Sequence, residues 1–163
     1  MEIVKSTRHS KIIGDFGESL VCNWLSRSEF EVATVDHTGI DIIAYDPRHR
    51  RRLGITVKSR TRTAGKENSS VNVFSYQHGK DDRQKLLSAC EAFGCEAWVA
   101  VYVETTDRAD VFLTTLANYD AKYRRAGRAI DDWKMGPKDR ESYASDPAVK
   151  HVGIIFEGGR WVW

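Results

Sequence analysis

Ile40-Asp41-Ile42-Ile43-Ala44-Tyr45 and Ile55-Thr56-Val57-Lys58-Ser59-Arg60 are two short, largely apolar runs, and how they sit against one another decides the fold. Lys58 follows Asp41 by 17 positions, with Asp46-Pro47 ending the first run and an arginine-rich stretch between the two. That length and turn chemistry predict antiparallel strands over Ile40–Tyr45 and Leu53–Arg60. Alternate side chains of an extended chain share a face, so Asp41, Ile43 and Tyr45 lie together, and so do Thr56, Lys58 and Arg60 on the next strand. If the strands are neighbours, the polar members converge. A metal-binding carboxylate then stands beside an ammonium group, the minimum apparatus for hydrolysing a phosphodiester.

Working outward, Glu31–Val35 alternates polar and apolar residues and reads as a preceding strand, joined to Ile40–Tyr45 by a His37-Thr38-Gly39 turn. Before it, Ile13, Phe16, Leu20 and Trp24 recur at helical spacing, predicting a helix from about Lys11 to Ser28 with Ser10 as its N-cap. Glu18 stands out on this helix, because its neighbours Gly14, Val21, Cys22 and Leu25 are largely apolar. A carboxylate there needs a partner, a metal or an edge of solvent. Gly14-Asp15-Phe16-Gly17-Glu18-Ser19 lacks the Gly-Lys-Ser/Thr ending of a phosphate loop, which argues against a nucleotide cofactor.

Downstream, Thr61–Gln77 is polar apart from Val71, Val73 and Phe74 and reads as a mobile loop with at most a short strand. A second helix fits Gly79–Phe93, with the stripe Leu86, Leu87, Cys90 and Phe93 and with Gly94 at its end. Ala97–Val103 is apolar at consecutive positions, as a central strand covered on both faces requires. Val111–Leu116 suggests a strand and Asn118–Ala126 a short helix. Gly127–Val149 is charged, carries Pro137 and Pro147, and shows no periodicity, which predicts an extended or partly mobile excursion. His151–Phe156 and Arg160–Trp163, separated by Glu157-Gly158-Gly159, read as a terminal hairpin.

The chain's 163 residues, 41% hydrophobic, suffice for one domain with a sizeable core. A net charge of +2 does not announce a nucleic-acid binder, so the distribution matters more than the total. Basic residues cluster at Arg48-His49-Arg50-Arg51-Arg52 and at Lys58, Arg60, Arg62 and Lys66, both expected near the Asp41–Lys58 pair. For the first cluster two readings stay open, a phosphate footprint and a solvated hairpin tip. Three cysteines without CxxC spacing indicate neither a disulfide framework nor a zinc site. The polar amino terminus lacks a secretory signal and the longest apolar run is far too short for a membrane span, so the expectation is a cytoplasmic protein without membrane contact.

The order helix, three strands, helix, strand resembles the αβββαβ core of the PD-(D/E)xK nuclease superfamily. The local sequence is similar to that of archaeal Holliday-junction resolvases and related small endonucleases. The matching segments are Gly17-Glu18, Gly39-Ile40-Asp41-Ile42-Ile43-Ala44, Ile55-Thr56-Val57-Lys58-Ser59 and Phe93-Gly94-Cys95-Glu96-Ala97-Trp98-Val99-Ala100-Val101. The resemblance implies a restriction-endonuclease-like α/β fold with a mixed central sheet. The expected division is a single domain over 1–163, its core about 10–104 and a carboxyl-terminal extension about 105–163.

By the same resemblance Glu18 and Asp41 are metal ligands, the Val57 carbonyl assists them, and Lys58 orients or activates the attacking water. Magnesium or manganese is the implied cofactor, because such ions take hard oxygen ligands and keep several waters. DNA is the implied partner, contacted by Ser59, Arg60, Arg62, Arg50 and Arg51, and a homodimer is implied by symmetric cutting of two strands. The activity implied is a metal-dependent endonuclease on duplex or branched DNA. The sequence departs from the family at one critical place: Thr56 stands where an acidic residue is expected. Asp36, Glu67 or an acid from the last third are the substitutes, and the alternative function is a module of the same fold that binds nucleic acid or a protein without cleaving. Ile40 replaces the family's proline, and His37 reads as a turn residue rather than a base.

Overall fold

The computed structural model describes Ile3 and residues 5–157. Its elements in chain order are α1 (His9–Arg27), β1 (Glu31–His37), β2 (Ile40–Asp46), β3 (Arg51–Thr61), β4 (Val71–Ser75), α2 (Asp82–Phe93), β5 (Glu96–Glu104), β6 (Arg108–Thr115), α3 (Leu116–Lys122), β7 (Ile130–Trp133), α4 (Pro137–Ser145) and β8 (Lys150–Ile155). Six strands form a mixed sheet in the order β1-β2-β3-β5-β6-β8, and β4 and β7 form a separate pair. Among the described residues, only β3 and β5 run parallel within the large sheet, with Leu53 opposite Glu96 and Thr61 opposite Glu104. A parallel pair needs a crossover, and α2 supplies it. The α/β class and the mixed central sheet are as expected.

β5 explains why both faces need covering. Trp98, Ala100 and Tyr102 pack toward α1, with Ile42, Ala44, Leu53, Ile55 and Val57. Val99, Val101 and Val103 pack toward α2 and the carboxyl-terminal elements, with Phe74, Leu86, Phe112 and Trp133. Period-two alternation in a strand sandwiched between layers gives a continuous apolar run, which is what the sequence shows. Gly39 turns the β1–β2 connection at φ +103°, and a Cβ there would meet the Lys85 backbone of α2 at 2.5 Å. The turn therefore needs glycine for conformation and for space.

Helix ends follow capping chemistry, with two differences from the expected reading. α2 starts at Asp81, whose carboxylate accepts from Gln84 N at 2.8 Å, and ends on Gly94 in the left-handed conformation. Phe93, expected on the buried stripe, is 43% exposed and lies edge-on to His37, while Ala89 takes the inward place. α1 begins two residues before the expected start. Arg8 holds the N-cap position without a side-chain bond, so Ser10 is not the cap but lies inside the first turn.

The largest correction concerns 127–149. This stretch is not an irregular excursion: β7 pairs with β4, and α4 packs Tyr143 beneath the sheet. Trp133 is fully buried, with ring centroids 5.5 Å from Tyr119, 6.0 Å from Tyr123 and 5.4 Å from Tyr143. Short elements of this kind lack periodicity because distant segments stabilise them. Buried Asp131 accepts from Arg124 and from the Tyr76 hydroxyl, tying together the loops on either side of β4 and β7. Arg140 likewise bonds Asp110, the Met135 carbonyl and the Glu67 carbonyl. The 61–77 region accordingly contains β4 and is anchored at several points. The first arm of the expected terminal hairpin is β8, paired with β6; its second arm, 160–163, lies outside the described residues.

Two stability outcomes follow from this packing. Trp133→Ala leaves a large void among the rings of Phe112, Tyr119, Tyr123 and Tyr143, so it should destabilise the fold by about 3–5 kcal/mol in chemical denaturation. Asp46, almost buried at the end of β2, accepts from His49 Nδ1 at 2.7 Å, Arg51 Nε at 3.1 Å and the amides of Arg48 and His49. Burial alone would raise its carboxyl, but the His49 and Arg51 bonds outweigh it and bring the value from 3.8 down to about 2. A group depressed in the folded state stabilises above its unfolded value and loses that contribution as pH falls through the folded one. Stability should therefore decline between about pH 4 and pH 2, and Asp46→Asn should flatten that part of the profile.

Candidate active site

The ladder between β2 and β3 runs from Asp46 opposite Arg51 to Ile42 opposite Ile55, and just beyond it Asp41 reaches across with its side chain. Its Oδ2 accepts from the Val57 amide at 2.6 Å and from Thr56 Oγ1 at 3.2 Å. A strand residue's N–H and C=O point to the same side, so the Val57 carbonyl also faces the Asp41 side of β3. The carboxylate is thus fixed by a backbone donor, with Oδ1 left for another ligand.

α1 lies against this part of β3 at Gly17. A Cβ there would collide with Ser59 Oγ and crowd the Tyr102 side chain, so glycine lets the helix approach without displacing the Ser59 hydroxyl. The next residue is Glu18, half-buried beside the same segment. Its carboxyl is pushed up, first by burial and then by the charges of Asp41 and Asp15, while Lys11 and Lys58 pull the other way. Repulsion between two carboxylates across a partly dry gap is what a cation would relieve. Lys58 is half-buried, and among the described residues its ammonium has no hydrogen bond or ion pair. Glu18, Asp41 and Lys58 thus act on one electrostatic neighbourhood.

The position of the missing acid is now visible. Thr56 is 4% exposed and donates to Asp41 instead of adding a charge. Glu67 is not a replacement: its carboxylate accepts from Gly65 N, its carbonyl accepts from Arg140, and the acid that repels it is Asp107. Asp36 is exposed on β1, where its field acts on Lys11. Among the described residues no three His, Cys, Asp or Glu side chains come together as a metal cluster. The oxygens that could hold a cation here are two carboxylates, the Val57 carbonyl and the Thr56 hydroxyl, a hard-oxygen set of the kind magnesium accepts when waters complete its shell.

The two basic clusters separate. Arg50 and Arg51 belong to the far end of the hairpin, with Arg51 seven residues before Lys58 on one strand, about 23 Å away at strand rise. The expectation that both clusters lie near the site is corrected, since that distance exceeds the roughly 8–10 Å Debye length. The tip is also largely neutralised: Arg48 pairs with Glu29, His49 and Arg51 bond Asp46, and Arg51 lies 3.8 Å from Glu96. Arg50 is exposed there at φ +53°.

The second cluster keeps its charge. Among the described residues, Arg60 bonds only the Ser59 carbonyl, at 2.7 Å. Arg62 clamps the carbonyls of Ser69 and Ser70 and so orders the following loop, its basicity lowered by burial and by Arg60 and Arg140. Ser59 is 7% exposed and its Oγ has no partner among the described residues. A cleft of ≈ 410 Å³ opens beside it, walled by the start of α1 and the end of β3. Sequence reasoning missed Lys5 and His9 in that wall, because they lie some fifty residues from the strand they meet.

No protein-family model matches the sequence, and no curated protein matches it. Among solved structures, the chain is similar to the Holliday junction resolvase Hjc of the archaeon Archaeoglobus fulgidus, with 19% identity and a TM-score of 0.54. The match covers 79% of this chain and 88% of that one. The chain therefore has the fold of Hjc, its mixed sheet flanked by helices.

Proposed function

We propose that this protein is a metal-dependent endonuclease that hydrolyses phosphodiester bonds in duplex or branched DNA, with Glu18, Asp41 and Lys58 as its site. The observation that carries the reading is the Asp41 carboxylate, held on the Val57 amide at 2.6 Å where β2 and β3 part, in the shared field of Glu18 and Lys58. Similarity of fold to a Holliday junction resolvase supports DNA as the substrate and branched DNA as one form of it.

Glu18, Asp41 and the Val57 carbonyl would hold Mg²⁺ or Mn²⁺. When bound, such an ion supplies Lewis-acid polarisation of a phosphoryl oxygen. The protein's own contribution is positional. The Val57 amide and the Thr56 hydroxyl fix the Asp41 carboxylate in orientation, and α1, seated through Gly17, fixes Glu18. Lys58 brings an unpaired ammonium to the phosphate, orienting the attacking water and stabilising charge that grows on the phosphoryl oxygens. Two copies acting as a homodimer would place one site on each strand of a symmetric junction.

One observation favours a second reading. With Thr56 in place of an acid the site holds a cation less strongly, which suits a module that binds nucleic acid without turnover.

Linear and four-way-junction DNA in Mg²⁺ or Mn²⁺ separate the two. Cleavage is expected from the native protein, with Asp41→Ala and Lys58→Ala each slowing it at least about 100-fold. Binding without cleavage by all three proteins would leave the binding module, and cleavage that survives both changes would move the site elsewhere. Thr56→Glu should tighten Mg²⁺ or Mn²⁺ binding about tenfold by calorimetry, equivalent to about 1.4 kcal/mol. No gain would mean that Glu18 and Asp41 do not share a cation.

A further inference from the structure

We propose that Cys90 and Cys95 form a thiol-redox modification site, closing to a reversible disulfide when the protein meets a peroxide. The inference stands on the carboxyl-terminal end of α2 and needs no assumption about nucleic acid.

The two cysteines hold the positions of a helix end at which side chains ordinarily touch. α2 stops on Gly94 in the left-handed conformation, with the Cys95 amide donating to the Cys90 carbonyl at 2.8 Å and the Gly94 amide to that of Glu91 at 3.2 Å. In such a cap the residue after the glycine folds back over the last turn, and an apolar pair frequently fills the contact. Here both members are free thiols. The bond to the Cys90 carbonyl also keeps the two Cα atoms within about 6.7 Å, inside the span that a disulfide bridges.

Gly54 of β3 supplies the space. A Cβ at Gly54 would lie 2.7 Å from Cys90 Sγ, 3.1 Å from Cys95 Cβ and 3.0 Å from Ile40 Cδ1. Cys90 Sγ and Cys95 Cβ are therefore both within 3.1 Å of one point, and a side chain at 54 would stand between them. Neither sulfur is strongly held. Cys90 Sγ lies 3.7 Å from the Gly54 carbonyl and Cys95 Sγ 3.6 Å from the Phe93 carbonyl, the weak contacts of thiol donors. Rotation of Cys95 about its Cα–Cβ bond, off the Phe93 carbonyl, is the movement that closure requires.

Accessibility sets the order of events. Cys90 is 4% exposed, whereas Cys95 is half-buried and feels the charge of Arg52. Burial pushes both thiols up, Cys90 to about 11 with Cys95 adding to the rise, while Arg52 pulls Cys95 back. Cys95 is thus the thiol that a peroxide meets first. Its thiolate attacks the peroxide, an S–O bond forms, the O–O bond breaks and hydroxide leaves, giving a sulfenic acid. Cys90 sulfur then displaces the sulfenic hydroxyl, which departs as water with the Cys90 proton, so the S–S bond replaces the S–O bond. In sum, two thiols and one peroxide become a disulfide and two waters. The reaction runs through the Cys95 thiolate, so its rate should rise about tenfold per pH unit while that thiol remains mostly protonated.

Cys22 serves as the internal control, because it packs with α1 against the opposite face of the sheet. The full chain is treated with hydrogen peroxide, alkylated in denaturant and mapped by mass spectrometry. No Lys or Arg separates Cys90 from Cys95, so both fall on one tryptic peptide. That peptide should lose two hydrogens and resist alkylation, Cys22 should alkylate, and dithiothreitol should restore alkylation at all three cysteines. In Cys90→Ser, the Cys95 sulfenic acid should accumulate and be trapped by dimedone. In Cys95→Ser, Cys90 should oxidise at least about tenfold more slowly than in the native chain. A native chain that keeps both thiols, that carries Cys95 to the sulfinic acid with Cys90 still alkylatable, or that pairs either with Cys22 would overturn the site. The readout is covalent mass, so it stands apart from whether the protein cuts DNA.

Discussion

The contact of α1 with β3 at Gly17 is the constraint on which the site depends. Because no Cβ stands between the helix backbone and Ser59, α1 can approach β3 and Tyr102 closely, and Ile13, Val21 and Leu25 then reach the sheet face together. That approach brings Glu18 into the field of Asp41 and Lys58, and it sets the start of the helix beside Arg60 and Thr61. A larger residue at 17 would have to displace the Ser59 hydroxyl and press on the Ser59 and Tyr102 side chains. One missing side chain therefore seats the helix that carries Glu18 against the strand that carries Lys58.

The second organising fact is how positive charge is distributed. At the β2–β3 tip, Asp46, Glu29 and Glu96 take up three of the basic residues. On α2 and in the last third, Arg83, Arg124, Arg125 and Arg140 pair with Asp120, Asp131, Asp132 and Asp110. Those pairs hold loops and short strands in place, and exposed members of such pairs contribute little net field. Lys58 and Arg60 at the end of β3 remain without a carboxylate among the described residues. A nearly neutral chain can present a local anion-binding surface in this way, which a net charge of +2 would not reveal.

The sequence made some of this legible and not the rest, for physical reasons. Period-two alternation and the Asp46-Pro47 break announce the β2–β3 hairpin, so the placing of Asp41 and Lys58 on neighbouring strands is readable before any coordinates exist. Gly94 marks the end of α2, and the unbroken apolar run marks β5, because local backbone chemistry and two-sided burial leave local traces. β7 and α4 leave none, and β4 leaves only Val71, Val73 and Phe74 in an otherwise polar stretch. Their stability comes from Trp133, Tyr143 and Arg140 reaching partners many residues away, including Glu67 across 73 positions. The pairing of the tip arginines was equally hidden, since Arg48 meets Glu29 only after the chain has folded back on itself.

Thr56 then decides how the site should be weighed. Glu18 and Asp41 against Lys58 leave one net negative charge, where a third acid would leave two. The smaller charge weakens the hold on a divalent ion, yet it also lowers the repulsion that a phosphodiester meets before any ion arrives. Thr56 does not sit idle in this exchange, because its hydroxyl holds Asp41 Oδ2 beside the Val57 amide and keeps the carboxylate oriented. On the proposed reading, Thr56 would trade cation affinity for easier approach of a nucleic acid while preserving the geometry of the remaining carboxylate. Under the proposed nuclease reading, Glu18, Asp41 and the Val57 carbonyl would hold the divalent ion with less charge than three acids give, and the substrate's phosphate oxygens would supply the remainder.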